Sequence, residues 1–332
     1  MSKKIVTFGE IMMRLSTPAF ARFTQAHSFN VTYGGSEANV AASLAAFGLK
    51  AVHVTRFPEN DFGKSAVQAL QQSGVDTSHV IYGDERIGLY FLENGAMQRA
   101  SRILYDRFDS AFSQIQPGMI DWDDVFKDAA WFHWTGITPA ISQGAATVCL
   151  DALRSAKKNK LTVSGDINYR RNLWRYGKTA RDIMPELISL TDRIVAGVTD
   201  LENCLGITGD TFESACEATV KAYPNINAVT TTYRDSIGSS HNKLSAVIWA
   251  DQEVVKSREY DLIPIVDRVG GGDAYMAGLI YGWITGKDHQ QTVDFATAAS
   301  VWKHSIEGDV NVATVEEIET LMRGENIGRL LR

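Results

Sequence analysis

Cysteine is scarce in this chain. Cys149, Cys204 and Cys216 are the only three in 332 residues, and no two form a CxxC pair. An odd, sparse set excludes a disulfide framework and points to a reducing compartment. None of the seven histidines lies within five positions of another, which argues against a structural zinc site. Positive charge is also short: 33 Lys and Arg face 39 Asp and Glu, a formal net charge of −6. No global field therefore recruits nucleic acid or an anionic membrane, and an anionic ligand must be held by local groups. No apolar run approaches the roughly 18 residues of a membrane span. The opening stretch MSKKIVTFGEIMMRL has a basic start, but Gly9 and Glu10 break its apolar part, so it reads as a first strand and not a signal peptide. The expected location is cytoplasmic. No internal repeat, low-complexity tract or Pro/Ser-rich linker interrupts residues 1–332, which are expected to form a single α/β domain.

What the chain does have is rhythm. With 45% apolar and 22% charged residues it can bury a sizeable core. KIVTFGE reads as a strand, and SEANVAASLAAFG as a helix with Ser36 at its N-cap and Gly48 past its end. KAVHVTRF is a strand and DFGKSAVQALQQSG a helix closing at Gly74. AAWFHWTGI, LTVSGDI, DRIVAGV and INAVTTTY then alternate as strands with helices in SQGAATVCLDALRSAKKN, ARDIMPELISL and DTFESACEATVKAY. Strands alternating with helices imply right-handed βαβ units: a doubly wound, mostly parallel sheet flanked by helices. Two segments break the pattern. Residues 12–33 lack a helical period, and residues 86–109 read as paired strands around a turn at Asn94-Gly95. Both follow a strand and precede a helix, so both emerge on the side where such folds bind ligands. A small β-strand lid is one reading and a dimerisation hairpin the other; the two can coincide, and a homo-oligomer is expected.

The stretch DRVGGGDAYMAGLIYG, residues 267–282, opens an apolar helical run with three glycines and an aspartate. Consecutive glycines at a helix start expose N–H groups beside the positive end of the helix dipole, which makes an anion site. Gly270, Gly271 and Gly272 fit that description. A carboxylate at the same mouth repels a passive phosphate ligand. It is useful if it accepts the proton of a hydroxyl attacking phosphorus, and Asp273 is placed for that role. The plainer alternative is a capped helix packed closely on the sheet. Neither a Walker GxxxxGK[ST] loop nor a GxGxxG fingerprint at a first βαβ unit is present.

Other features gather around this one. YGGSEAN sets Gly34 and Gly35 before a helix whose first turn carries Glu37 and Asn39, within reach of a ligand or simply at a tightly packed helix start. Tyr90, Tyr105 and Arg107 fall in the suspected lid strands, and Arg170 follows a strand in GDINYRRNLW. Two arginines converging on one crevice are excessive for a neutral sugar and point to an acidic polyol. Asp309, in SIEGDVN, follows a helix ending near Ile306 and either returns to the crevice or sits in an ordinary turn.

The motifs GGSEANVAASLAAFG (34–48) and DRVGGGDAYMAGLI (267–280) together resemble the N- and C-terminal signatures of the ribokinase-like (PfkB-type) carbohydrate kinase family, over nearly the whole chain. FGEIMMRL, GLYFLENG, YDRFDSA, WTGITPAIS and DINYRRNLW are similar to its 2-keto-3-deoxygluconate kinase branch. The resemblance implies ATP with Mg²⁺, transfer of the γ-phosphoryl to the 6-hydroxyl of 2-dehydro-3-deoxy-D-gluconate, Asp273 as base and Gly270 to Gly272 as anion hole. It implies sugar-acid contacts from Gly34, Gly35, Asn39, Tyr90, Tyr105, Arg107, Arg170 and Asp309. On the nucleotide side it implies Gly270, Gly272, Arg234 and Asp200, with Asp200 also toward the metal. Three departures stand out. Arg268 replaces a small residue or proline. Gly197 and Asp200 stand where Asn and Glu are common. TTTYRDSIGSSHNKLSAV (230–247) lacks the usual lysine/glycine pattern of the nucleotide loop. A neutral-sugar kinase such as a fructokinase, and a non-catalytic sugar-acid-binding protein on the same fold, are the rival readings.

Overall fold

Apolar side chains on both faces of a strand require cover on both sides. In Lys4–Phe8, Ile5 packs into one buried cluster while Val6 and Phe8 pack into another. In Ala129–Thr135, Trp131 faces the first cluster and Phe132 and Trp134 the second. The structure is a computed structural model that describes residues 3–325, and it sets these strands side by side within a nine-stranded sheet. The sheet runs in the order Glu253–Lys256, His241–Ala250, Ala228–Gly238, Arg193–Val195, Thr162–Asp166, Ala129–Thr135, Lys4–Phe8, Lys50–Val54. Every neighbouring pair from Ala228–Gly238 to Lys50–Val54 is parallel. The other edge is antiparallel, including Tyr260–Leu262, which pairs with His241–Ala250. Helices Ser36–Ala46, Gly271–Thr285 and His289–Lys303 supply the first cluster, and Gln143–Lys158, Ala180–Ile188, Val198–Leu205 and Phe212–Ala222 the second. The doubly wound, mostly parallel arrangement is the one the alternating pattern implies.

The irregular segments come together as a separate four-stranded sheet: Asn30–Gly34, Met12–Ser16, Gly88–Glu93 and Arg102–Asp106 in that order. It forms the small β-lid. The pairing of Gly88–Glu93 with Arg102–Asp106 is antiparallel as expected, but Asn94-Gly95 is not its tip. The connection is longer, with Ala96 bridged to Arg99 and Met97 at φ +53°. Gly95 is needed for close approach instead: a Cβ there would stand 2.3 Å from the Arg99 carbonyl oxygen.

Two helix starts also differ from expectation. The Ser36–Ala46 helix is capped by Gly35, not Ser36, because the Ser36 hydroxyl is engaged elsewhere. Val198–Leu205, unread in the sequence, is a short helix that begins where Asp200 accepts the Gly197 N–H at 2.9 Å. The glycines inside Gly271–Thr285 have a packing cause. A Cβ on Gly278 would lie 2.5 Å from Cα of Ala296, so bare backbone lets this helix press on His289–Lys303. That contact outweighs the roughly 1 kcal/mol that a mid-helix glycine costs. It also fixes where the helix, and the turn ahead of it, begins.

Candidate active site

The turn ahead of Gly271–Thr285 is left-handed at Gly270, with φ +83°. A Cβ there would meet the Asp309 carbonyl oxygen at 1.9 Å, and one on Gly271 would meet the His304 imidazole at 2.5 Å. Gly272 is exposed, with nothing within 4 Å of where its Cβ would be. The first N–H groups of a helix have no partner within it, so the turn presents donors and the positive dipole end to a crevice of about 430 Å³. Gly270, Gly271, Gly272 and Asp273 all line that crevice, as do Gly34, Gly35, Asn39, Tyr90, Tyr105, Arg107, Arg170, Arg234 and Asp309. Residues separated by up to 275 positions in the chain thus share one wall.

Asp273 is half-buried in the first helical turn. Its Oδ1 accepts from Ser36 Oγ at 2.6 Å and its Oδ2 from Asn39 Nδ2 at 2.7 Å. Burial pushes its pKa above the ordinary aspartate value, and the two donors pull against that shift. Asn39 is therefore turned toward Asp273, while the Gly35 N–H donates to its Oδ1. Glu37 lies in the crevice floor, almost fully buried. It accepts from the Thr135 N–H and from the Thr135 and Thr138 hydroxyls, and burial pushes it up to about 7.

Asp309 does return to the crevice. It accepts from the Tyr90 hydroxyl on one oxygen and from Arg14 Nη1 at 2.6 Å on the other. Gly34 must be bare because a Cβ would lie 2.0 Å from this carboxylate, and Gly35 because one would lie 2.0 Å from the Glu10 carbonyl oxygen. Arg14, 2% exposed, also binds Asp267 through Nη2 at 2.6 Å and donates from Nε to Ser16 Oγ. Asp267 in turn accepts the Val269 and Gly308 N–H groups. Sequence reasoning missed Arg14; the one signal was a charged residue inside the apolar strand MMRLS.

The two candidate carboxylate readers differ. Arg107 is buried and already paired with Glu10, Nη2 to Oε2 at 2.6 Å, with its guanidinium 5.8 Å from the Tyr105 ring centre. Arg170 is exposed and forms no salt bridge among the described residues; its nearest polar contact is the Tyr169 carbonyl at 3.5 Å. Tyr105 is exposed on the lid, with its ring 5.9 Å from that of Tyr90.

Asp200 does not line the crevice among the described residues; its carboxylate holds the start of Val198–Leu205. Asp166 does line it, and was not singled out from the sequence. Burial pushes its carboxyl up to about 8, with the charges of Asp200 and Asp273 adding to the shift. No cluster of three or more His, Cys, Asp or Glu suited to a metal is present among the described residues. Mg²⁺ commonly takes one or two carboxylates, with phosphate oxygens and waters completing its shell. Asp166, lining the crevice with the anion turn and close enough to Asp200 to feel its charge, fits that donor set. No helix among the described residues is long and apolar enough to cross a membrane.

An anion turn with a poised carboxylate, under a strand lid on a doubly wound sheet, is the layout of a sugar kinase. The family model for pfkB family carbohydrate kinases matches residues 2–313, and the chain belongs to that family, an ATP-dependent carbohydrate kinase. Among solved structures, a 2-dehydro-3-deoxygluconokinase from Thermotoga maritima is 42% identical with a TM-score of 0.93, covering 97% of this chain and 100% of that one. A 2-dehydro-3-deoxygalactonokinase from Haloferax volcanii is 30% identical over 99% of each chain. A more distant Escherichia coli protein, solved in complex with ATP and Mg²⁺, shares the fold at 19% identity, with a TM-score of 0.82 over 97% of this chain and 100% of that one.

Proposed function

We propose that this kinase transfers the γ-phosphoryl of ATP to the 6-hydroxyl of 2-dehydro-3-deoxy-D-gluconate. The observation that carries the reading is Arg170: a guanidinium that forms no salt bridge among the described residues, in the same crevice as Asp273. A guanidinium there matches a carboxylate at one end of the sugar acid, with the far hydroxyl left beside Asp273. The relatives from T. maritima and H. volcanii, named for acidic keto-deoxy sugars, support the same class.

In this reading Asp273 takes the proton of the 6-hydroxyl as its oxygen bonds to phosphorus and the bond from phosphorus to the ADP oxygen breaks. The N–H groups of Gly270 to Gly272 hold the charge on the transferring group. Asn39 and Ser36 hold Asp273 on both of its oxygens, so Asn39 serves the base more than the sugar. Asp309 and Tyr90 read hydroxyls as a fixed pair, Tyr105 closes the sugar from the lid, and Gly34 and Gly35 leave room for it. Arg107, held by Glu10, adds a second positive charge for the acid end. Mg²⁺, when bound, neutralises charge on the phosphates; Asp166, with Asp200 behind it, would hold it, and Arg234 faces the nucleotide. In the same reading the described residues 3–325 act as one domain, in the cytoplasm. The exposed apolar residues Val31 and Leu104 on the lid sheet, with Phe29 just ahead of it, support a homo-oligomer.

The test is a coupled ADP-release assay across keto-deoxy acids of the gluconate and galactonate types, aldonates, fructose and ribose. Preference for a keto-deoxy acid is expected. Preference for fructose or ribose makes it a neutral-sugar kinase, and no turnover on any substrate leaves a sugar-acid-binding protein.

A further inference from the structure

Besides Arg170, two arginines in the crevice have no carboxylate partner among the described residues, in a chain whose acids outnumber its Lys and Arg. Arg268 immediately precedes Val269 and the glycine turn, and Arg234 lies on the strand Ala228–Gly238. Neither forms a salt bridge among the described residues. Their hydrogen-bond partners are not acidic. Arg268 donates through Nη2 to the Gly238 carbonyl at 2.8 Å and to Asn242 Oδ1 at 2.7 Å. Arg234 Nη2 lies 3.2 Å from His304 Nε2.

Three further observations mark these groups as short of an anion. The Nε of Arg268 is buried and has no acceptor, and an unmet buried donor is costly. Partial desolvation lowers the pKa of both guanidinium groups, although Arg234 lies on an exposed part of its strand, and repulsion from Arg268 adds to the shift at Arg234. His304 pairs its Nδ1 with the Ser300 carbonyl at 2.7 Å, which leaves the Nε2 lone pair for Arg234. Burial and the neighbouring cations Arg234, Lys303 and Arg268 hold that ring neutral, down to about 4. The same ring is what a Cβ on Gly271 would strike, so His304 touches both the turn and Arg234. Forked donors beside open helix N–H groups suit a phosphate dianion.

We propose that Arg234 and Arg268 clamp the terminal phosphoryl groups of the nucleotide, with His304 a positioning residue for Arg234. The clamp rests on the kinase reading above and deepens it on the nucleotide side. A Walker loop meets the β- and γ-phosphates with a lysine; this chain meets them with two guanidinium forks.

Calorimetric binding of AMP, ADP and the β,γ-imido analogue of ATP, each with Mg²⁺, tests this in the wild type and in Arg268→Met, Arg268→Lys and Arg234→Met. Arg258→Met, outside the crevice, is the control for loss of a charge. Arg268→Met and Arg234→Met should weaken the ATP analogue about 10–100-fold and ADP less, and leave AMP within about twofold. Arg268→Lys should recover part of the loss, and Arg258→Met should change nothing. Equal losses for AMP and the ATP analogue would assign Arg268 to tethering the Gly238 hairpin and overturn the clamp. So would a loss confined to the phosphorylated sugar product, measured in parallel. Arg234→Met decides the same question if Arg268→Met does not fold. A wild-type chain that binds no nucleotide sinks the kinase reading itself, whereas wild-type transfer with unchanged variant affinities removes only the clamp.

Discussion

Replacing the three turn glycines by alanine, one at a time, separates what the fold requires from what the ligand requires. At Gly270 the new Cβ would stand 1.9 Å from the Asp309 carbonyl oxygen, on a backbone at φ +83°. The left-handed conformation costs a side chain about 1–2 kcal/mol, and overlap with a backbone atom adds about 1–3 kcal/mol. The sum is a large part of the roughly 5–15 kcal/mol that keeps a domain folded, so Gly270→Ala should melt on the order of 10 °C lower. Gly271→Ala should fall between, since the atom 2.5 Å away belongs to the His304 side chain. Gly272 has open space and no positive φ. Alanine there should keep or slightly raise Tm, because a helical glycine costs about 0.5–1 kcal/mol relative to alanine. Its turnover should nonetheless drop by about 10²–10³, the usual effect of spoiling one anion-hole donor. Melting curves and coupled ADP release on the same preparations give both readings. Wild-type turnover in Gly272→Ala would refute a phosphoryl group approaching that backbone. Wild-type melting of Gly270→Ala would refute the steric account of the turn.

Asp273→Asn should lower turnover by about 10²–10⁴ while sugar-acid binding stays within a few fold; near-normal turnover removes Asp273 as the base. Arg170→Ala should raise KM for the keto-deoxy acid about 10–100-fold and leave neutral sugars unaffected; equal effects on both rule out a carboxylate contact. Asp166, pushed up to about 8 mainly by burial, holds its proton more tightly folded than unfolded. The unfolded chain ionises first, so this group's stabilising contribution is lost as pH rises from about 4 toward 8. Asp166→Asn cannot ionise and should lose less stability than the wild type between about pH 5 and pH 8, by up to about 3–4 kcal/mol. Parallel losses in denaturant titrations of the two proteins would contradict the buried-carboxyl account.

The parts of the fold that were legible are those set by local periodicity. Strand and helix runs from Lys4 to Ala222 announce a parallel sheet because each run carries its own apolar pattern. The antiparallel edge was hidden in RDSIGSSHNKL, a polar stretch that reads as a loop. In the sheet it is the turn of a long hairpin, and its exposed strand residues carry no apolar alternation. At the site, glycines and Asp273 were visible because their chemistry is unusual at a helix start. Arg14, Glu10 and Asp166 were not, since nothing local distinguishes a charge that will meet a distant partner from one facing water. Asn39 and Arg107 were found as site residues but not in their contacts, which depend on Asp273 and Glu10 arriving from elsewhere in the chain.

The Arg14–Asp309 ion pair spans 295 positions of sequence. Closing so long a loop costs about 5 kcal/mol in chain entropy, more than one such contact returns. The pair cannot seed folding; it forms only after the two apolar clusters have brought the strand Met12–Ser16 beside the turn. On a ribosome, Arg14 emerges 295 positions ahead of Asp309. The crevice is therefore assembled after the layers around it, and the lid strand waits for the carboxylates that anchor it until they too have emerged.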